Sequence, residues 1–292
     1  MVYAKYFLSE RKPKISLAES QAVVKRALFE DIGCFDITTR LSIPKDKIIT
    51  ARIIAKESFL LCGITIAGQV FKTVGPGLKF VGKFKDGSQV LKGDVLAVIS
   101  GNAHSILTAE RVALNFISLL SAVTTNTAKF VKIVKPFKTK VVDTRKTIPG
   151  LRQLQKYAVR IGGGYNHRMC LDEMILIKDN HLKIMGGYSK FQVPKGYKVE
   201  IEAQNLKEFI SVLSFKPDII MLDNMEINDI KKAVKIRDNL RTNCRKCLTL
   251  LEASGGIHLG NLKKYAATGV EIISIGQLTD SVASVDVSLD ID

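Results

Sequence analysis

KVEIEAQNLKEFISVLSFKPDIIMLD, residues 198–223, reads as strand, helix, strand. KVEIEA and DIIMLD are short and rich in β-branched residues, and NLKEFISVLS between them carries apolar residues at helical spacing. The rhythm extends in both directions. Strand-like runs recur at TKVVD (139–143), MILIK (174–178), LTLLEA (248–253) and VEIISI (270–275). Helical stretches separate most of them: GLRQLQKYAV (150–159), EINDIKKAVKIRDNL (226–240) and HLGNLKKYAAT (258–268). Strand-helix alternation implies parallel strands with helices outside, and near-continuous apolar strands imply cover on both faces.

Each strand is followed by charge or glycine: Asp143, Arg145 and Lys146; Lys178 and Asp179; Glu200 and Glu202; Asp223; Glu252, Ser254, Gly255 and Gly256; then Gly276. In a (β/α) barrel these ends converge on the face that carries the active site. Six strands are clear, so the α/β fold class is narrowed to an open, incomplete (β/α) barrel of about six to seven strands.

Ahead of the barrel the pattern changes. SLAESQAVVKRALFEDIG (16–33) predicts a helix with Ser16 as N-cap and Gly33 as stop, and FDITTRLSIP (35–44) predicts a loop. Residues 49–104 read as short strands broken by Gly and Asp-Gly turns, starting with ITARIIAKESFLLCGI. SILTAERVALNFISLLSAVTTNTAKFVKIVK (105–135) is helical and apolar on more than one side, which predicts burial between layers.

The chain has 292 residues, 46% hydrophobic and 25% charged, as for an ordinary globular enzyme. No apolar run approaches bilayer length, the N-terminus lacks a secretory core, and the protein is expected in the cytoplasm without a membrane partner. Five scattered cysteines fit a reducing compartment, and Cys244-x-x-Cys247 has no second ligand pair, so a reduced pair is the simpler reading. The net charge of +16 suits either nucleic acid or an anionic small molecule. The cations are spread along the chain, with no aromatic RNA-binding signature, which favours the small molecule and no nucleic acid.

The residues at the strand ends suggest what that molecule carries. Arg145, Arg168 and Lys178 suit a dicarboxylate, since arginine offers a planar fork, and Lys146 suits a pyrophosphate as a point charge. His167 lies between a triple glycine and Arg168, which favours function; His104 and His258 lack such a setting. Glu202 and Asp223 end neighbouring strands and can hold Mg²⁺, accept from ribose hydroxyls, or stabilise a developing cation; alternatively they pair with Lys146 or Lys178. Asp143 and Glu200 are weaker candidates, with Glu200 placed on the outward face. Ser254, Gly255 and Gly256, and then Gly276, let backbone N–H groups approach a phosphate.

The blocks EDIGCFDITT, AERVALN, DTRKTIPGLRQLQKYAV, GGGYNHRMCLDEMILIKDNH, VEIEAQNL, IIMLDNM, LEASGGI and TGVEIISIGQLT occur in order from about residue 18 to the C-terminus. Together they resemble nicotinate-nucleotide pyrophosphorylase (carboxylating), the quinolinate phosphoribosyltransferase family. The resemblance implies conversion of quinolinate and 5-phosphoribosyl 1-diphosphate into nicotinate mononucleotide, pyrophosphate and CO₂, with Mg²⁺, in de novo NAD synthesis. It implies an N-terminal α/β sandwich domain over residues 1–116, rejoined by 279–292, and a barrel over 117–278. It implies a homodimer or a hexamer of dimers with shared active sites. By that pattern Arg145, His167, Arg168 and Lys178 bind the quinolinate carboxylates, and Arg111 reaches in from a partner subunit. Lys146, Glu202 and Asp223 are catalytic, Glu202 and Asp223 also hold the metal, and Ser254, Gly255 and Gly276 cradle the 5-phosphate. The piece RDNLRTNCRKC (237–247) looks inserted, outside the site.

Overall fold

A computed structural model of the chain describes residues 15–187, 196–243 and 249–292. The Cys244/Cys247 pair lies outside the described residues. In chain order the elements are α1 (Leu17–Ile32), α2 (Ile37–Ser42), β1 (Ile48–Ala55), β2 (Phe59–Leu60), α3 (Ile64–Val74), β3 (Lys79–Gly82), β4 (Gln89–Val90), β5 (Val95–Asn102) and α4 (Ala103–Val134). Then follow β6 (Lys140–Val142), α5 (Arg152–Ile161), β7 (Ile175–Ile177), α6 (Asp179–Met185), β8 (Val199–Ala203), α7 (Leu206–Leu213) and β9 (Ile219–Asp223). The chain closes with α8 (Ile227–Asn243), β10 (Leu250–Ser254), α9 (Leu262–Ala266), β11 (Ile272–Ser274), a 3₁₀ turn (Gly276–Leu278) and β12 (Val287–Ile291). They form two compact units. Of the described residues, one holds those from 15 to 128, 147–163 and 278–292, and the other those within 129–146 and 164–277. The long helix α4 therefore runs straight across position 116/117 without a break, and α5 groups with the N-terminal residues.

In the first unit β1 pairs antiparallel with β5 and with β12, so the C-terminal segment joins the N-terminal sheet. Helix α1 is fixed as its sequence implies: Ser16 Oγ accepts from the Glu19 N–H at 3.2 Å, and Gly33 follows at φ 57°. Residues 37–42, expected as loop, are helical. Asp36 caps them by accepting the Thr39 N–H at 2.9 Å, a local signal whose helix is only six residues long. The larger departure is α3, within the stretch expected as strands. ITIAGQVFKTV is β-branched, and its cap is remote: Asp86 Oδ1 accepts the N–H groups of Gly63 (3.0 Å) and Ile64 (3.1 Å). No local pattern encodes a cap supplied from 22 residues away.

Among the described helices α4 is long and apolar enough, by length and composition, to cross a bilayer, contrary to the expectation from run length, yet most of that stretch is buried. Its polar residues serve the interior. Ser121 Oγ accepts the Cys62 N–H (2.9 Å) and donates to the Cys62 carbonyl (3.1 Å), while Thr124 Oγ1 donates to the Ala158 carbonyl of α5 (3.0 Å). Gly162, which ends α5, packs onto the same helix. A Cβ there would lie 2.5 Å from the Thr124 carbonyl oxygen and 2.8 Å from Thr127 Cβ.

In the second unit six parallel strands lie in the order β6-β11-β10-β9-β8-β7. Every residue of β8 is buried, its two glutamates, Glu200 and Glu202, included. Val142, Met174, Ile219, Leu250 and Ile272 form one core cluster of this unit. The register sets Glu202 beside Met221 and Asp223 beside Ser254, so the charged ends of β8, β9 and β10 emerge on one edge.

Gly162→Ala is expected to destabilise the protein by roughly 1–3 kcal/mol, because a carbonyl in a packed helix cannot give way. Gly77→Ala is the control, since a Cβ there meets nothing within 4 Å. Denaturant unfolding of the two variants measures the difference.

Candidate active site

β6 delivers Asp143, and the residues after the triple glycine return beside it, where Tyr165 bridges Val142 in parallel. Asp143 is fully buried. Its Oδ1 accepts the His167 N–H at 2.9 Å and its Oδ2 accepts from Asn166. This second-rank candidate is an anchor for the loop that carries His167 and Arg168. His167 is itself buried, at 7% exposure. Its Nδ1 accepts the Arg168 N–H at 2.8 Å, and its Nε2 lies 3.0 Å from Glu200 Oε2 and 3.8 Å from Glu252 Oε2.

Glu200 points inward, not outward as expected. Side chains alternate along a strand, so Glu200 and Glu202, two residues apart, share a face. Glu252 is fully buried, and neither of its oxygens has a well-formed hydrogen bond. Burial, reinforced by the nearby Glu200 carboxylate, pushes its pKa up to about 8, against the pull of His167 and the Ser274 hydroxyl. Glu252 is the functional candidate that sequence reasoning passed over. The available signal was a carboxylate inside a strand covered on both faces, two residues before Ser254.

Arg168 donates from Nη1 to the Met174 carbonyl at 2.8 Å. Burial, followed by repulsion from Arg145, holds its pKa below the usual value, while Glu200 opposes the shift. Lys178 Nζ lies 3.2 Å from Glu202 Oε2. Burial raises the Glu202 carboxyl above its ordinary range; Lys178 opposes this, and Asp223 and Asp179 add to it. Glu202 and Asp223 are therefore close enough to feel each other, and Glu202 also borders an open pocket of ≈ 360 Å³ with Asp179, Lys183 and Gln204. Clustered carboxylate oxygens at strand ends are the donor set that Mg²⁺ selects.

Arg145 and Lys146 are exposed on the turn after β6, where the Lys146 N–H donates to Thr144 Oγ1 at 3.0 Å. Gly255 has φ +98°, and a Cβ there would lie 2.1 Å from Asn224 Oδ1, so the turn requires glycine on packing grounds alone. Gly276 opens the 3₁₀ turn that follows β11. Arg111 is exposed on α4, in the other unit. His181 Nδ1 accepts the Lys178 N–H at 3.0 Å, while His104 and His258 bond nearby backbone groups. Arg237 is buried within α8 and donates to Glu271 at 2.8 Å and to the Thr249 carbonyl at 3.2 Å.

Two family descriptions match the chain: "Quinolinate phosphoribosyl transferase, N-terminal domain" over residues 36–121 and its C-terminal domain over 123–290. The chain belongs to the quinolinate phosphoribosyl transferase family. Among its relatives, the probable nicotinate-nucleotide pyrophosphorylase (carboxylating) of Methanocaldococcus jannaschii is 42% identical over 278 residues, which cover 92% of this chain and 96% of the relative. The Mycobacterium leprae nicotinate-nucleotide pyrophosphorylase (carboxylating) is 37% identical over 277 residues, covering 92% and 95%. The solved nicotinate-nucleotide pyrophosphorylase of Francisella tularensis superposes with TM-score 0.88 at 38% identity, over 98% of this chain and 100% of that one. Family membership covers both units, and with them the mouth where Arg145, Arg168, Lys178, Glu202 and Asp223 gather.

Glu252 links the mouth to stability. Its folded pKa, about 8, lies above its ordinary 4.5. Below the ordinary value the folded and unfolded states both hold the proton, and nothing is lost. As pH rises from there through the folded value, the unfolded chain releases a proton that the folded one keeps, so stability falls. Glu252→Gln should remove this slope. Its Tm relative to the parent should therefore rise between about pH 5 and about pH 8.5. A difference that does not change with pH would mean that Glu252 is already ionised.

Proposed function

We propose that this chain is a quinolinate phosphoribosyltransferase, joining quinolinate to 5-phosphoribosyl 1-diphosphate and releasing pyrophosphate and CO₂ to give nicotinate mononucleotide for NAD synthesis. One observation carries the reading. Arg145 and Arg168 are held together against their mutual repulsion, in the same unit as a Lys178–Glu202–Asp223 group. Two close guanidiniums are relieved by an acceptor bearing two carboxylates. Paired carboxylates at the neighbouring strand ends suit ribose hydroxyls and a ring on which positive charge develops.

Position and side-chain chemistry support a role for each residue. Arg145, Arg168 and Lys178 bind the acceptor's carboxylates and aim the pyridine nitrogen at the anomeric carbon. Ser254, Gly255 and Gly276 offer backbone and hydroxyl donors to the 5-phosphate. Lys146, exposed on its turn, faces the departing pyrophosphate. Glu202 and Asp223 hold the ribose hydroxyls and stabilise the oxocarbenium-like charge. Glu202 and Asp223 would hold Mg²⁺, which would supply neutralising charge to the diphosphate. Once the nitrogen is ribosylated, the cationic ring stabilises the electron pair left on the ring carbon as the adjacent C–CO₂ bond breaks; CO₂ leaves, and that carbon takes up a proton from solvent.

The enzyme acts as a homodimer, or as a hexamer of dimers, in the cytoplasm. Phe29, Ile37 and Leu41 on α1 and α2 are 80%, 61% and 84% exposed, an apolar surface suited to a second copy of the chain. Exposed Arg111 is the residue that a partner contributes to the mouth.

Purified protein should form product from quinolinate and much less from nicotinate; equal or better use of nicotinate sinks the assignment. Arg168→Ala should lower kcat/KM for quinolinate by roughly 10²-fold, since it strips a charged partner from each carboxylate contact. Arg111→Ala and Lys178→Ala should each be nearly inactive, and mixing them should restore part of the activity. No recovery after verified subunit exchange would contradict shared sites.

A further inference from the structure

Gln155 on α5 is fully buried, and its amide is committed at both ends. Oε1 accepts the Ile148 N–H at 2.8 Å, and Nε2 donates to the Thr279 carbonyl at 2.8 Å. The backbone N–H can only donate and the carbonyl can only accept, so the amide has one possible orientation. One partner lies 7 residues before Gln155 in the chain and the other 124 after it.

Each partner continues a turn of the mouth. Ile148 stands two residues beyond Lys146, and Thr279 directly follows the 3₁₀ turn Gly276–Leu278. Those turns leave neighbouring strands. β6 and β11 are parallel, with Val142 beside Ser274, and the Ile275 N–H donates to the Val142 carbonyl at 3.0 Å. The ladder ends there, and Gln155 ties the two chains together again farther on.

Helix α5 is well fixed for this task. Thr124 Oγ1 of α4 donates to its Ala158 carbonyl at 3.0 Å, its Tyr157 hydroxyl donates to Asp86 at 2.8 Å, and Gly162 packs against α4. The turn before it is braced a second time. Arg152 Nε donates to Thr147 Oγ1 at 3.0 Å, and the Leu151 N–H donates to the Ile148 carbonyl at 3.0 Å. Only an amide suits position 155: leucine would pair neither backbone group, and an ionised glutamate would set oxygen against oxygen at Thr279.

We propose that Gln155 is a positioning residue for the phosphoribosyl donor: its one amide fixes the turn bearing Lys146 relative to the turn opened by Gly276, so that the donor's pyrophosphate and 5-phosphate are received at a set separation. It acts through the backbone of the two turns. Quinolinate depends on it less, because Arg168 and Lys178 stand on other segments.

This role rests on the proposed reaction, and the two can fail separately. Steady-state kinetics with each substrate varied, and thermal unfolding, are measured for the parent and for Gln155→Met, which keeps the side-chain length and removes both hydrogen bonds. KM for 5-phosphoribosyl 1-diphosphate should rise roughly tenfold, as expected when contacts to a charged group are weakened. KM for quinolinate should stay within about twofold, as for groups that share no partner. Lys146→Ala removes one of the two groups through which Gln155 acts, so adding Gln155→Met to it should raise the donor KM by a smaller factor than in the parent. Should Gln155→Met not fold, Gln155→Asn takes its place: its shorter amide stays polar but cannot reach both backbone groups, and the same one-sided shift is expected. A rise of both KM values together, a lower kcat with both KM values unchanged, no change at all, or full additivity with Lys146→Ala would each overturn the role of Gln155 while leaving the reaction standing. A parent that forms no product from quinolinate and the donor overturns the proposed function and this role with it.

Discussion

A carboxylate taken out of water must find a cation, a hydrogen-bond donor or a proton. The second unit buries four at the head of its sheet and answers each differently. Asp143 takes the His167 N–H and the Asn166 amide, and Glu200 takes the imidazole N–H. Glu202 takes the Lys178 ammonium, and Glu252 is driven toward keeping its own proton. These answers come from β6, β8, β10 and the segments after β6 and β7. Satisfying the acids therefore also sets where Arg168 and Lys178 sit. A mouth built this way holds cations beside carboxylates without either neutralising the other completely.

In the first unit a half-buried acid does similar work. Asp86 caps α3 through two N–H groups and accepts the Tyr157 hydroxyl of α5 at 2.8 Å. Burial and that carboxylate together push the Tyr157 hydroxyl pKa upward. One acid thus joins a turn, a helix start and a second helix. In the other unit the Arg237–Glu271 pair ties α8 to the strand edge: Glu271 also accepts the Leu251 N–H at 3.0 Å. Removing either partner would leave the other charged and buried, which costs more than the pair contributes.

Much of the barrel was legible because its signals are local. Strand-helix periodicity needs only neighbouring residues, and charge or glycine at the strand ends marks where the chain leaves the core. Five of the six barrel strands fall within the runs read from sequence, β10 runs one residue past its own to Ser254, and Ser16 and Gly33 bracket α1 as their chemistry requires. α3 was not legible, because its cap comes from Asp86, beyond any local window. α2 was read as loop although Asp36 offered the signal, since one turn of helix carries too little periodicity. In sequence Gly162 is one of three consecutive glycines with nothing to set it apart, whereas its constraint is the Thr124 carbonyl of another helix.

At the mouth the sequence by itself determined the cast: cations for carboxylates, acids for a ribose, glycine turns after the last strands, and a family whose blocks occur in order. It determined these because strand ends in a parallel sheet share one edge whatever the loops do. Only the tertiary structure decided the wiring. It turned Glu200 inward, put Glu252 beside it, and gave the His167 Nδ1 to a backbone N–H. Those outcomes depend on which strands lie next to one another and on how little water remains between them, and neither is written in any one stretch of residues.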